Sequence, residues 1–244
     1  MLKTLFLQPP SFDGFDGGAG SRYQAKREIR SFWFPTWLAQ PAALVEGSRL
    51  IDAPPARMAL GPVLDEARNY ELVVMHTSTP SFASDVKVAE ALKDVNPTLK
   101  IGFVGAKVAV EPEDSLTASS AVDFVAREEF DFTIKEVAEG KDFADIDGLS
   151  YRGAGGAPVH NRERAVLENM DELPFVTEVY KRDLKIEDYF IGYLKQEFPR
   201  IKIIMITGVD GIAEDAVLAT GADRFISKPF TQSKLQESID HVLN

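Results

Sequence analysis

Five short apolar runs, each closed by proline, glycine or a polar cluster, constrain this chain most. TLFLQPP (4–10), SRLIDAPP (48–55), ELVVMHTS (71–78), KIGFVGA (100–106) and DFVAR (123–127) have the length and side chains of buried strands. Segments with helical spacing lie between them. In ASDVKVAEALKDVNP, Val88, Leu92 and Val95 recur at helical intervals, with Ser84 placed as N-cap and Asp85 in the first turn. PTWLAQPAALVEG and GPVLDEARNY supply two more helices, SLTASSAVD a short one, and FTIKEVAEG one that stops at Gly140. Strands alternating with amphipathic helices predict parallel βαβ units, hence an α/β fold with a doubly wound parallel sheet.

The pattern then changes. DGLSYRGAGGAPVHNR (147–162) places two short runs around GAGG, a hairpin signal. A charged, proline-punctuated connector without clear period follows, and after residue 200 the alternation returns. IKIIMITG (201–208) reads as a strand, AEDAVLATG as a helix capped by Asp210 and ended by Gly221, and DRFISKPF as another strand. TQSKLQESIDHVL closes as a helix with Thr231 as N-cap and Leu235, Ile239 and Val242 on one face. The expected organisation is an α/β domain over 1–146, a hairpin and connector over 147–195, and a β-α-β-α segment over 196–244. No repeat recurs at a solenoid period.

Composition removes several function classes. A hydrophobic fraction of 45% in 244 residues supports a sizeable core. A net charge of −11 argues against binding nucleic-acid phosphates, which takes clustered Lys and Arg. There is no cysteine, so this stretch offers no disulfide, thiolate zinc site, Cys nucleophile or iron–sulfur cluster ligand. No apolar run approaches the ~18 residues of a membrane span, and the N-terminal LFL is short of a signal-peptide core of ~7 residues or more, so a cytoplasmic location is expected.

Ligands of open α/β sheets bind beyond the carboxyl ends of the strands. That edge here comprises Gln8–Gly20, Asp52–Pro55, His76–Phe82 and Gly105–Pro112. It carries small and polar residues and no recognisable nucleophile–base pair. The order TLFLQPPSFDG, RLIDAPP, ELVVMHTSTPSFASD, KIGFVGAKVAVEPEDSL, VDFVAREEFDFTIKEVAEG and IDGLSYRGAGGAPVHNRERAVLENMDELPF resembles the N-terminal cobalamin-binding region of radical SAM enzymes, most of all their hopanoid-biosynthesis branch. The likeness spans about residues 1–195. It implies a flavodoxin-like fold with cobalamin over the strand ends, contacted by Pro9, Thr77, Ser78, Thr79, Ser81, Gly105 and Ala106. Two motifs depart from the family. Its Gly-Gly-x-His is Gly105-Ala106-Lys107-Val108 here, and its Gly-Glu-Gly-Glu is Ala126-Arg127-Glu128-Glu129. None of His76, His160 and His241 has Asp two positions before it, so ligation of cobalt by histidine is not expected. His76 reads instead as a satisfied polar residue at a strand end. Because radical SAM chemistry needs a cysteine-held cluster, the expectation is a chain that is not an enzyme: a non-catalytic cobalamin-binding module without its barrel.

From residue 196 the chain is similar to the C-terminal half of response-regulator receiver domains. In that resemblance Thr207 and Lys228 ending two strands would be the hydroxyl and cation of a phosphate site, and Lys228–Pro229 a cis peptide. The acidic residues of such a site are missing, so the pair reads as a relic. Two alternatives stay open: a receiver-like phosphorelay module with an incomplete site, or a chimeric fusion without native activity. Self-association through the C-terminal strand edges is a further expectation.

Overall fold

The computed structural model describes residues 1–10, 34–185, 189–207, 214, 218 and 221–243. It divides into two compact units, the first running to Leu184 and the second from Lys185. The helix expected after Asp210 lies outside the described residues.

In the first unit a seven-stranded sheet has the order β2-β1-β3-β4-β5-β6-β7. Its strands are β1 (Thr4–Gln8), β2 (Arg49–Asp52), β3 (Leu72–His76), β4 (Lys100–Val104), β5 (Phe124–Ala126), β6 (Leu149–Arg152) and β7 (Pro158–His160). β1 to β5 are parallel. β6 and β7 run antiparallel and form the hairpin, which extends the sheet at its β5 edge. The parallel core explains the near-continuous apolar runs, because strands covered on both faces have no solvent side to mark with polar residues.

Alternate side chains divide between two cores. Leu5, Leu7, Val73, Met75, Ile101, Phe103 and Val125 meet α2 (Leu60–Ala67), α3 (Phe82–Val95), α4 (Ala106–Val110) and α5 (Pro112–Thr117). Phe6, Leu50, Leu72, Val74, Val104 and Phe124 meet α1 (Thr36–Leu44), α6 (Asp131–Ala138) and α7 (Thr177–Asp183). Gly102 lets Phe124 lie flat across β4, since a Cβ there would come within 2.0 Å of the Phe124 ring. The structure corrects three details of the sequence reading. α3 starts at Phe82, ahead of Ser84. The short helix expected over SLTASSAVD is replaced by α4, directly after β4, and by α5, which Pro112 opens. α7 lies in the segment read as an aperiodic connector.

The second unit contains α8 (Phe190–Glu197), β8 (Ile204–Thr207), β9 (Arg224–Ser227) and α9 (Gln232–Leu243). β8 and β9 pair in parallel as a separate two-stranded sheet, with Thr207 opposite Ser227. Thr231 caps α9 by accepting the Lys234 N–H at 3.3 Å. The Lys228–Pro229 peptide is cis.

The two units share a local device. In the first, Lys93 Nζ donates to both oxygens of Asp123 (3.1 and 2.8 Å), which also accepts the Ile101 N–H at 2.7 Å, while the Asp123 N–H returns to the Ile101 carbonyl at 2.9 Å. In the second, Lys195 Nζ pairs with Asp223, which accepts the Ile203 N–H at 2.8 Å and donates its own N–H to the Ile203 carbonyl at 2.8 Å. The matching stretches are LKDVNPTLKI (92–101) and LKQEFPRIKI (194–203). In each, an aspartate ahead of one strand ties that strand's start to the neighbouring strand and to the preceding helix.

Candidate functional site

The strand order reverses between β1 and β3, and such switch points open a crevice at the carboxyl ends of the strands. Leu7 lies opposite Met75 in the β1–β3 register, so the next pair in line is Gln8 and His76. Both follow the parity of Phe6 and Val74, and both therefore face the α1 side. From α1, Trp37 reaches the same place, with its ring centroid 5.2 Å from that of His76. Gln8 Oε1, Trp37 Nε1 and His76 Nδ1 are each sealed from solvent without a hydrogen-bond partner among the described residues. A protein interior normally pairs such atoms, so three at one switch point make it the candidate site. His76 is thus not the satisfied residue the sequence suggested. Burial pushes its pKa down to about 4, which keeps the imidazole neutral near pH 7.

The loop after β3 is built around a buried carboxyl. Asp85, in the first turn of α3, accepts from Thr77 Oγ1 at 2.6 Å and from Ser81 Oγ at 2.8 Å. Ser81 Oγ in turn takes the Ser78 N–H at 3.1 Å and lies 2.8 Å from Ser78 Oγ. Burial raises the Asp85 pKa to about 7, against the lowering effect of the Thr77 and Ser81 hydroxyls. The four side chains hold 77–81 in a turn beside the switch point. Thr77 and Ser81 are buried and face Asp85, whereas Thr79 is exposed.

Gly105 follows β4 with φ +119, and a Cβ on it would sit 2.3 Å from the Thr77 carbonyl oxygen and 3.1 Å from His76 Nε2. Only glycine brings the β4 end this close to the β3 end. Pro9 is buried directly after Gln8. Ala106 opens α4, and Lys107, where the resembled family carries a different residue pattern, pairs with Glu111 and lies over the Phe82 ring. The residues named from the sequence therefore converge on one edge: Pro9 at β1, Thr77, Ser78, Thr79 and Ser81 after β3, and Gly105 and Ala106 after β4. Gln8 was placed on the candidate edge without being named as a contact, and Trp37 was missed. Gln8 reads as the polar end of an apolar run and Trp37 as a core position of a helix, and neither carries a local signal.

Of the C-terminal pair, Thr207 ends β8, and Lys228 is exposed one residue beyond β9. A cavity of about 540 Å³ lies away from the switch point, lined by Glu129, Asp131, Arg164, Leu167, Met170 and neighbouring residues. Among the described residues no cluster of His, Cys, Asp and Glu could hold a metal ion, and no helix is long and apolar enough to cross a membrane.

The fold, a mostly parallel seven-stranded α/β sheet of flavodoxin-like order, is of the kind found in cobalamin-binding domains. The cobalamin-dependent S-adenosylmethionine radical enzyme OxsB, solved with aqua-cobalamin and S-adenosylmethionine bound, superposes with a TM-score of 0.56 at 12% identity, over 84% of this chain and 26% of OxsB. Its form with aqua-cobalamin alone gives 0.54 at 12% identity, over 84% of this chain and 33% of that one. An uncharacterized methyltransferase of Pyrococcus horikoshii is 24% identical over 184 residues, which make up 71% of this chain and 38% of that protein. No family model matches the chain. The chain thus spans about a third of the length of the proteins it matches.

These comparisons overturn the expectation that the chain is not an enzyme. The curated relative is a methyltransferase and the solved neighbours are enzymes, and they point to an enzyme here as well. The absence of cysteine was the wrong ground for the exclusion. A missing cluster motif describes only the stretch that lacks it, and this chain covers 26% of OxsB and 38% of the methyltransferase.

Proposed function

We propose that the first unit is the corrinoid-binding part of a cobalamin-dependent methyltransferase-class enzyme. The observation that carries this reading is the β1/β3 switch point, where Gln8, Trp37 and His76 hold three sealed polar atoms without partners. Such atoms cost stability unless a ligand meets them. The fit with a corrinoid is chemical: Gln8, Trp37 and His76 are uncharged, and the glycine at 105 keeps the backbone low. Pro9, Ser78, Thr79, Gly105 and Ala106 would line the ligand, with Thr77 and Ser81 shaping the turn through Asp85. When bound, cobalamin supplies a cobalt centre able to carry a methyl group. The chain's own residues bind and orient the macrocycle, and the neutral His76 brings no proton to it near pH 7. A cluster for radical chemistry would need cysteines from outside these 244 residues. The hopanoid branch enters only as the part of the family that the sequence most resembles. The test is titration of the full chain with hydroxocobalamin, read by visible absorbance and gel filtration. Co-elution of the corrin supports the reading, and none at tens of micromolar rejects it.

A second reading concerns the second unit, whose parallel β8–β9 pair, with Thr207 and Lys228 at the strand ends, favours a receiver-derived segment. We take the pair as a relic of a phosphate site, so beryllofluoride should leave the chain's spectra unchanged.

A further inference from the structure

We propose that Gln8, Trp37 and His76 form a carboxamide-recognition site that selects a corrinoid carrying primary amides over one carrying carboxylates. The inference rests on the corrinoid reading above.

The three groups share one face and one end of the sheet. Gln8 and His76 are neighbours across the β1–β3 switch, both on the α1 side, and Trp37 stands against His76 from α1. Each contributes one sealed, unpaired atom. Gln8 Oε1 can only accept and Trp37 Nε1 can only donate. Burial keeps His76 neutral, and we place its proton on Nε2, so that Nδ1 accepts. Two acceptors and one donor are the complement of a primary amide, whose NH2 donates twice and whose carbonyl accepts once. The corrin periphery carries acetamide and propionamide chains of this kind. A carboxylate in the same position has no N–H to give, so Gln8 and His76 would remain unpaired. It would also bring a buried charge to three groups that include no cation.

The experiment is equilibrium dialysis of the full chain, read by visible absorption, against hydroxocobalamin and against the corrinoid acid made by hydrolysing its peripheral amides. The amide form should bind about tenfold tighter or more, the equivalent of one hydrogen bond left unmade. Trp37→Phe keeps a ring in place and deletes the N–H, and it should weaken the amide form by about tenfold while moving the acid form by roughly twofold or less. His76→Phe and Gln8→Leu should act alike, with near-UV circular dichroism showing that each variant is folded. If any one of these variants fails to fold, the other two and the comparison of the two corrinoids still decide. Equal binding of the two corrinoids, or unchanged affinity in the folded variants, overturns the amide site while leaving corrinoid binding in place. Retention of neither corrinoid by the unaltered chain overturns both.

Discussion

Glu128 and Asp85 show at the scale of single residues how the loops after the strands store cost. Glu128 is exposed and has φ +52, a left-handed conformation that glycine adopts without penalty. The resembled family places glycine at this position. Glu128→Gly should therefore stabilise the chain by about 0.5–1 kcal/mol, seen as a higher midpoint in urea with unchanged slope. Asp85 carries a larger cost. The folded chain keeps its proton up to about pH 7, whereas the unfolded chain releases it near the ordinary value of 3.8. Its contribution to stability is therefore full below about pH 4 and is lost as the pH rises toward 7. His76 acts in the opposite direction, since protonating it in the folded chain is disfavoured between its ordinary 6.5 and about 4. Asp85→Asn keeps an acceptor for Thr77 and Ser81 and leaves His76 unchanged. The difference in Tm between Asp85→Asn and the parent should grow in favour of the variant from pH 4 to pH 7 and then level off. A flat difference would contradict the buried-carboxyl account. Thr77 and Ser81 were visible in the sequence as strand-end hydroxyls. That they converge on Asp85 was not, because the pairing depends on how α3 docks against β3.

Strands and helices were legible where apolar runs had sharp ends. β1 to β5 fall within the five runs that Pro, Gly and polar clusters delimit, because a doubly covered sheet leaves a strong signal. α4 and α5 were not legible. They are too short for a helical period, and Pro112, which reads as a breaker, opens α5. The paired aspartate clamps were also missed, since their sequence trace is short and lies about a hundred residues apart. In the second unit burial alone would raise the Asp223 carboxyl, but Lys195, the Ile203 N–H and Lys202 outweigh it and hold the pKa below the ordinary value. Asp223→Ala removes the anchor and leaves the Ile203 N–H and Lys195 without their shared acceptor. It should cost about 1–3 kcal/mol. Hydrogen exchange provides the check: protection should fall at Ile203 and along β8–β9, while Ile101 keeps its protection through Asp123. Loss of protection at Ile101 as well would contradict a local clamp.

At the scale of the whole molecule, the fold class followed from alternation alone, and the rule that ligands bind at strand ends pointed to the candidate site. What the site recognises did not follow. Two of its three unpartnered atoms belong to Gln8 and Trp37, which only the β1–β3 register and the docking of α1 bring beside His76. The judgement on catalysis failed for a different reason: the absence of cysteine in these 244 residues was taken to exclude an enzyme, whereas the proteins the chain resembles are enzymes. The central claim is that the β1/β3 switch point holds a corrinoid, and equilibrium binding of hydroxocobalamin to the full chain tests it most directly. The account predicts saturable binding with corrin co-eluting on gel filtration, and weaker binding by the folded Trp37→Phe variant. A folded chain that retains no corrin at tens of micromolar would contradict it.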